Sequence, residues 1–307
     1  MKRMKGIQYL AIIFLAMLFT ISCGSGTQNK QEGQTSESSS DPDAYTFEKF
    51  LEDAKDLELG TTAISGIHQY FVMAKVDYFQ EMCNSSENVS RYLDSYPLAA
   101  ANLGVYFADL LYHTYGRATE NTVNTTNVIL ELSDYLGLEN DMYENLLARY
   151  DDNVAPVDST LVFWHALMKD SEKYNSEKEK IFVKSAILLG NNIEKFYLIS
   201  SLVQTPFRRE LTSDEATMAK KQLTYFLMNL ETRVASLQEI FEAQKEQLQS
   251  LFLLDELAKL HDVAATVTEK GDAILALDAP GIMSSPELDA LHTQILVIRT
   301  AIVDYNK

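Results

Sequence analysis

The chain has 307 residues, with 44 acidic and 26 basic side chains and a formal net charge of −18 at pH 7. Nucleic-acid binding depends on basic surface that displaces counterions from phosphates. This composition therefore excludes it and also disfavours adsorption to anionic lipid headgroups. The length is ample for a large hydrophobic core, in one domain or in two.

The first 22 residues predict an export signal. Three basic side chains, Lys2, Arg3 and Lys5, precede an apolar run at 7–21 that carries no charge. The run is shorter than the roughly 20 residues that a membrane-spanning helix needs. A positive start, a short apolar core and small residues at its end are typical of a secretory signal peptide.

The end of this signal, Thr20-Ile21-Ser22-Cys23 followed by Gly24, resembles the lipobox of bacterial lipoproteins. The resemblance implies that residues 1–22 are removed and that Cys23 carries a diacylglycerol and an acylated N-terminus. That is enough acyl chain for stable anchoring to a membrane. Because Gly24 follows Cys23 where an aspartate could stand, the sorting pattern of that family implies the outer membrane, with the protein facing the periplasm. An ordinary cleaved signal or an uncleaved anchor is the alternative interpretation.

The segment after the cysteine is polar. Residues 24–44 are rich in Ser, Gly, Gln and Thr, and apart from Ala44 they include no apolar side chain. Such a segment cannot bury enough surface to fold. We therefore predict that 23–44 is a lipidated cysteine on a disordered tether, with a typical end-to-end distance of roughly 25 Å.

From residue 45 onward, apolar residues recur at helical spacing, and no stretch alternates apolar and polar residues over the length of a strand. We therefore predict an all-α, multi-helix bundle of about nine helices. Gly60, Gly116 and Gly137 mark the expected ends of three helices, and Pro97 stops a fourth. In the tyrosine-rich region at 45–156 the predicted helices are 46–60, 62–83, 86–96, 98–115, 121–136 and 141–150.

A long-helix region follows at 157–307, and the loop near Pro156 could divide the chain into two helical subdomains. Ser176 with Glu179 forms a capping-box pattern, and Ser285 with Pro286 marks a further helix start. The predicted elements are helices at 158–173, 176–204, 212–251 and 285–302, with a loop at 271–284.

The most regular apolar pattern of the chain lies at 223–251, where the steps alternate between four and three residues. Its members are Leu223, Leu227, Leu230, Val234, Leu237, Phe241, Gln244, Leu248 and Leu251. This heptad seam predicts a long helix, straight or broken once, that packs at a shallow angle on a neighbour. Residues 181–189 are apolar on nearly every side, which predicts a central, buried helix.

Candidate chemistry is sparse. The chain lacks HExxH, CxxC, P-loop and GxSxG motifs, and no Glu-x-x-His pair occurs, so we predict no metal and no cofactor. Asp109 and His113, one helical turn apart, form the nearest constellation. Either Asp109 orients His113 as a base or ligand, or the two are a polar pair on a half-buried helix. With three neighbours they make up the candidate ligand-binding residues Asn102, Tyr106, Asp109, Tyr112 and His113.

Two short stretches resemble known helical proteins. Gly66-Ile67-His68-Gln69-Tyr70-Phe71 resembles the GxHxxE motif of imelysin-like proteins, but Phe71 stands where the motif has its glutamate, so we do not assign that family. The stretch at 102–110 resembles uncharacterised all-helical lipoproteins of diderm bacteria, which implies no activity. Gly104 within it costs a helix about 1 kcal/mol relative to alanine. We expect close approach of another helix there as compensation.

Cysteine and tyrosine usage leaves alternatives open. If Cys23 is acylated, Cys83 has no partner in the chain and is either a buried cysteine on a helix face, a reactive thiol or one half of an intermolecular bridge. Ten of the sixteen tyrosines lie at 70–150, where they either line an aromatic cleft or pack at half-exposed positions.

Three functions remain compatible with these patterns. The first is a non-enzymatic, lipid-anchored helical module that binds a protein or another partner in the cell envelope. The second is a solute-binding lipoprotein with an aromatic cleft in residues 70–150. The third is a metal or hydrolytic site that uses His113 and Asp109.

Overall fold

The computed structural model describes residues 45–58, 78–138, 176–205, 213–245, 253–276 and 285–304. Within these ranges the chain forms nine α-helices, two 3-10 helices and no β-strand, which confirms the all-α prediction. The 3-10 helices are Gln80–Met82 and Ser86–Arg91. The α-helices are α1 Phe47–Glu58, α2 Tyr96–Tyr115, α3 Thr119–Tyr135, α4 Glu177–Gln204, α5 Ser213–Met228, α6 Leu230–Glu242, α7 Leu254–Glu269, α8 Gly271–Leu275 and α9 Pro286–Val303.

Several sequence predictions fall outside the described residues. These are the signal at 1–22, the tether at 23–44, the stretch at 66–71 and the helices at 141–150 and 158–173. Among the helices that the structure does describe, none combines the length and the apolar character needed to cross a membrane.

Capping side chains begin three helices where the sequence indicates. The hydroxyl oxygen of Ser176 accepts a hydrogen bond from the Glu179 backbone N–H at 3.2 Å, and Ser285 accepts one from Leu288 at 3.2 Å. Thr46 accepts from the backbone N–H of Lys49, also at 3.2 Å. Each hydroxyl pairs a backbone donor that the first turn leaves without an intrahelical partner.

Three predicted boundaries need correction, namely two helix ends and the start of one loop. The helix predicted to reach residue 83 does not, because Cys83 is extended and 3-10 turns occupy most of 80–91. Pro97 does not close a helix but lies in the first turn of α2, where its missing N–H costs nothing. The loop predicted at 271–284 begins with the short helix α8.

The two central helices, α2 and α4, cross at a pair of glycines. A Cβ atom on Gly104 would overlap the carbonyl oxygen of Ile187, and one on Gly190 would overlap the carbonyl oxygen of Ala101. Both glycines are therefore required by the close approach of two backbones, as expected for Gly104. The side-chain amide of Asn191 also donates to the Gly104 carbonyl across this contact at 3.2 Å.

The core surrounds this crossing. α4 is buried on all sides over most of its length, as its apolar stretch predicts, and α2 is buried equally thoroughly. The heptad seam is buried wherever it is described, but Asn229 interrupts it between α5 and α6. The apolar face of α9 is fully buried at Leu288, Leu291, Ile295, Ile298 and Ile302. Helices from both sides of Pro156 share this core, since α2 packs most extensively on α4.

Candidate functional site

A polar cleft of about 740 Å³ opens between the segment at 80–87 and the junction of α2 and α3. This volume is within the range of small-molecule sites, roughly 300–1,000 Å³. Polar side chains make up nearly all of the lining. The lining residues are Gln80, Glu81, Cys83, Asn84, Ser85, Ser86, Glu87, His113, Glu120, Asn121, Asn124 and Thr125.

Helical spacing places three of these residues on one wall. Asn121, Asn124 and Thr125 lie three and four positions apart near the start of α3, so they share a face of that helix. The opposite wall is held by backbone contacts. The hydroxyl of Tyr106 donates to the Ser85 carbonyl at 2.7 Å, and Ser85 in turn caps the second 3-10 helix.

A chain of hydrogen bonds holds the His113 ring in position. The Asn121 amide Nδ2 donates to the Tyr78 hydroxyl oxygen at 2.8 Å, and that hydroxyl lies 2.6 Å from His113 Nδ1. Depending on the tautomer, either the Tyr78 hydroxyl donates to Nδ1 or a protonated Nδ1 donates to the hydroxyl oxygen. Burial lowers the pKa of His113 to about 4, so the ring is neutral at neutral pH. Gly116 makes this arrangement possible, because a Cβ there would overlap the Tyr78 ring.

Cys83 lies beside His113, with its sulfur 3.8 Å from Nδ1. Burial, together with the nearby carboxyl groups, raises the pKa of the Cys83 thiol well above its usual value. Cysteine nucleophiles need the opposite environment, in which a neighbouring cation stabilises the thiolate. A protonated thiol next to a neutral imidazole is therefore unsuited to covalent catalysis.

A buried ionic cluster lies behind the cleft. The Arg299 guanidinium pairs with both carboxylate oxygens of Glu194, at 2.7 and 2.9 Å, and also donates to the Met82 carbonyl at 3.3 Å. Asp109 is fully buried nearby, and the Asn84 backbone N–H donates to its Oδ2 at 3.0 Å. Burial is the main cause that raises the pKa of Asp109 well above its usual value, and the charge of Glu194 adds to it. The Arg299 guanidinium opposes this shift. With two carboxyl groups and one guanidinium, the cluster favours a protonated Asp109.

Amide and hydroxyl groups extend this cluster towards α9. The Asn84 amide donates to the Tyr92 hydroxyl at 3.0 Å, and Tyr92 donates to the Val303 carbonyl at 2.9 Å. Asn102 donates to the Ile302 carbonyl at 2.9 Å. These bonds attach the end of α9 to α2 and to the wall of the cleft.

Of the five candidate residues from the sequence, His113 is the one that lines the cleft. Asn102, Tyr106 and Asp109 are fully buried, and Tyr112 is 1% exposed and accepts a hydrogen bond from the Phe79 backbone at 3.2 Å. Asp109 and His113 belong to adjoining parts of one polar network. The bonds found in the described residues join Asp109 to Asn84 and His113 to Tyr78, and do not join the two directly.

Sequence reasoning missed most of the cleft. Tyr78, Asn84, Asn121, Glu194 and Arg299 come from distant parts of the chain, and no local spacing connects them. One available signal was the presence of Glu194 and Arg299 within otherwise apolar helices, because buried charges are normally paired. In the described residues, no group of three or more His, Cys, Asp and Glu side chains is arranged to hold a metal ion.

Comparison of the chain with protein-family models, curated proteins and solved structures finds no match. Fold alone does not define function.

Proposed function

We propose that this chain is a lipid-anchored protein of the cell envelope that binds a small polar solute and is not an enzyme. Cys23 carries the acyl chains, and the tether at 23–44 holds the folded helices away from the outer membrane on its periplasmic side. The observation that carries the binding role is His113 in the cleft. His113 lines the cleft although the residue is only 2% exposed, and the Tyr78 hydroxyl, 2.6 Å from Nδ1, holds its ring in place.

The polar lining favours a solute over a protein partner. Protein-binding surfaces have an apolar centre rich in aromatic residues, whereas the described lining of this cleft contains no phenylalanine, tyrosine or tryptophan. Among the described residues, the large exposed apolar side chains lie in pairs on three different helices: Val123 and Tyr135, Met218 and Tyr225, and Leu296 and Val297. Three of the tyrosines at 70–150, Tyr92, Tyr106 and Tyr112, are buried in the core and do not line the cleft.

The same geometry argues against catalysis. His113 has a pKa of about 4, far from the neutral value that suits a general base. Burial holds the Cys83 thiol protonated. A hydrogen bond to a bound solute needs only the neutral, positioned ring that the structure contains.

The anchor is tested by Cys23→Ser. We expect the variant to lose acyl labelling and to appear in the soluble fraction, because the remaining chain then lacks its lipid. Persistence of the variant in the membrane fraction, with its first 22 residues intact, would refute the lipoprotein assignment.

The binding role is tested on detergent-solubilised protein equilibrated with a small-molecule extract of the cell envelope. Mass spectrometry should find a solute retained by the wild type and lost from His113→Phe, which keeps an aromatic ring but removes both ring nitrogens. Glu131→Gln, an exposed position on α3 away from the cleft lining, is the control and should retain the solute. If the wild type retains nothing, or His113→Phe retains the same amount, the binding role is wrong.

A further inference from the structure

We infer that the solute is a neutral polyhydroxy compound, a sugar or polyol, and that a row of side chains on α3 binds its hydroxyl groups. The inference rests on the proposed binding function and specifies its ligand. Asn121, Asn124 and Thr125 make up this row, and all three line the cleft. They lie three and four positions apart, so one face of the helix presents them together.

The hydroxyl of Thr125 is the strongest indication of a ligand. A threonine inside a helix can donate to the carbonyl four residues earlier, and Thr122 and Thr126 do so on α3 at 3.0 and 2.7 Å. The Thr125 hydroxyl makes no hydrogen bond with any described residue, although the residue is only 3% exposed. Because Thr125 lines the cleft, the surface that it keeps faces the space in which a solute would lie. Its hydroxyl can both donate to a ligand and accept from it.

Two asparagine amides complete the row. The Nδ2 group of Asn121 donates to the Tyr78 hydroxyl, which leaves its side-chain oxygen as an acceptor. The Asn124 side chain is exposed in the cleft and makes no hydrogen bond with the described residues, so its donors and its acceptor are all available. An amide with a donor and an acceptor side by side matches two neighbouring hydroxyl groups, because each hydroxyl both donates and accepts. The row therefore fits the adjacent hydroxyl groups of a sugar or polyol.

Charged groups do not define the ligand. The described lining includes no lysine or arginine that could pair with an anion. Its carboxylates, on Glu81, Glu87 and Glu120, are exposed to solvent, where an ion pair contributes little. An apolar ligand would take water away from the amides and hydroxyls of the wall without replacing its hydrogen bonds. Neutral hydroxyl groups replace them.

Isothermal titration calorimetry on the full-length protein, solubilised in a detergent without a sugar headgroup, tests the inference. The neutral probes are D-glucose, D-galactose and myo-inositol. D-glucosamine and D-glucuronate are the cationic and anionic counterparts of D-glucose. We expect at least one neutral probe to bind at millimolar concentration or below, and neither charged sugar to bind more tightly than that probe.

Replacements on α3 locate the contact. Thr125→Val keeps the shape of the side chain but removes the hydroxyl, and it should weaken binding of that probe about twofold to tenfold, as expected for one hydrogen bond. Asn124→Ala should have a similar effect. Since the Thr125 hydroxyl has no partner among the described residues, Thr125→Val should not lower the melting temperature. Thr126→Val is the matched control, because its hydroxyl bonds to the Thr122 carbonyl and does not line the cleft, and it should bind like the wild type.

The alternative outcomes separate the ligand class from the binding function. If Thr125→Val binds the probe as well as Thr126→Val does, the row on α3 is not the contact and the inference is wrong. If a charged sugar binds more tightly than every neutral probe, the ligand class is wrong. It is also wrong if no neutral probe binds while the wild type retains an extract solute that His113→Phe loses, and in that case the solute-binding function stands. If neither the probes nor the envelope extract yields a ligand, both proposals fail.

Discussion

Acidification should destabilise the folded protein through His113. The pKa of this ring is about 4 in the folded state, against about 6.5 for an unperturbed histidine. The unfolded chain therefore binds a proton between these pH values while the folded chain does not, so stability falls as pH falls from about 6.5 towards 4. A difference of about 2.5 pH units at 1.36 kcal/mol each corresponds to about 3.4 kcal/mol. About 2.5 kcal/mol of this is lost between pH 7.5 and 4.5.

The replacement His113→Gln isolates this contribution. Glutamine has an oxygen that can accept from the Tyr78 hydroxyl but does not titrate. Urea unfolding at pH 7.5, 5.5 and 4.5 should show the wild type losing about 2.5 kcal/mol more than the variant over this range. Asp109 shifts in the opposite sense, since its raised pKa stabilises the folded state as pH falls, but it is present in both proteins and cancels in the difference. Equal losses in the two proteins would refute the buried, neutral histidine.

Three further replacements test the core. Leu230→Ala should cost about 2–5 kcal/mol in chemical unfolding because Leu230 is fully buried, whereas Glu239→Ala at an exposed position should cost little. A fully stable Leu230→Ala would mean that the seam is not a core. Gly190→Ala should lower the melting temperature, since its Cβ would overlap a carbonyl oxygen of the facing helix and typical overpacking costs about 1–3 kcal/mol. Arg299→Met leaves Glu194 buried without its cation and should cost about 3–5 kcal/mol. Adding Glu194→Gln should restore much of that loss, and no recovery would argue against the ion pair.

Local signals predicted the helix boundaries well. The caps at Ser176 and Ser285 depend on residues three positions away, so the sequence contains everything that determines them. The apolar face of α9 follows from spacing alone. The predicted end of the helix 62–83 is wrong. Phe79 and Met82 are both buried and lie three residues apart, a spacing that fits a 3-10 turn as well as an α-helix.

Long-range pairing accounts for what the sequence did not predict. α2 carries Asn102, Asp109 and His113, which made it look half-exposed, yet each of them is buried. Their partners lie in other elements, such as Asn84 for Asp109 and the Ile302 carbonyl for Asn102. Helical periodicity describes a residue's own helix and does not indicate which distant groups will pair with it. The cleft depends on such pairings and could not be predicted.

The bonds between α2, the cleft wall and α9 also constrain the order in which the protein is assembled. Tyr92 and Asn102 donate to the carbonyls of Val303 and Ile302, which lie 211 and 200 residues further along the chain. A chain delivered from its N-terminus, by a ribosome or an export channel, presents these two side chains long before their acceptors exist. Contacts of such high sequence separation form slowly, because most of the chain must first be ordered. Asn84, which shares the Tyr92 hydroxyl, belongs to the cleft wall. The Asn84 side of the cleft is thus held in part by contacts that cannot form before residues 302 and 303 are present.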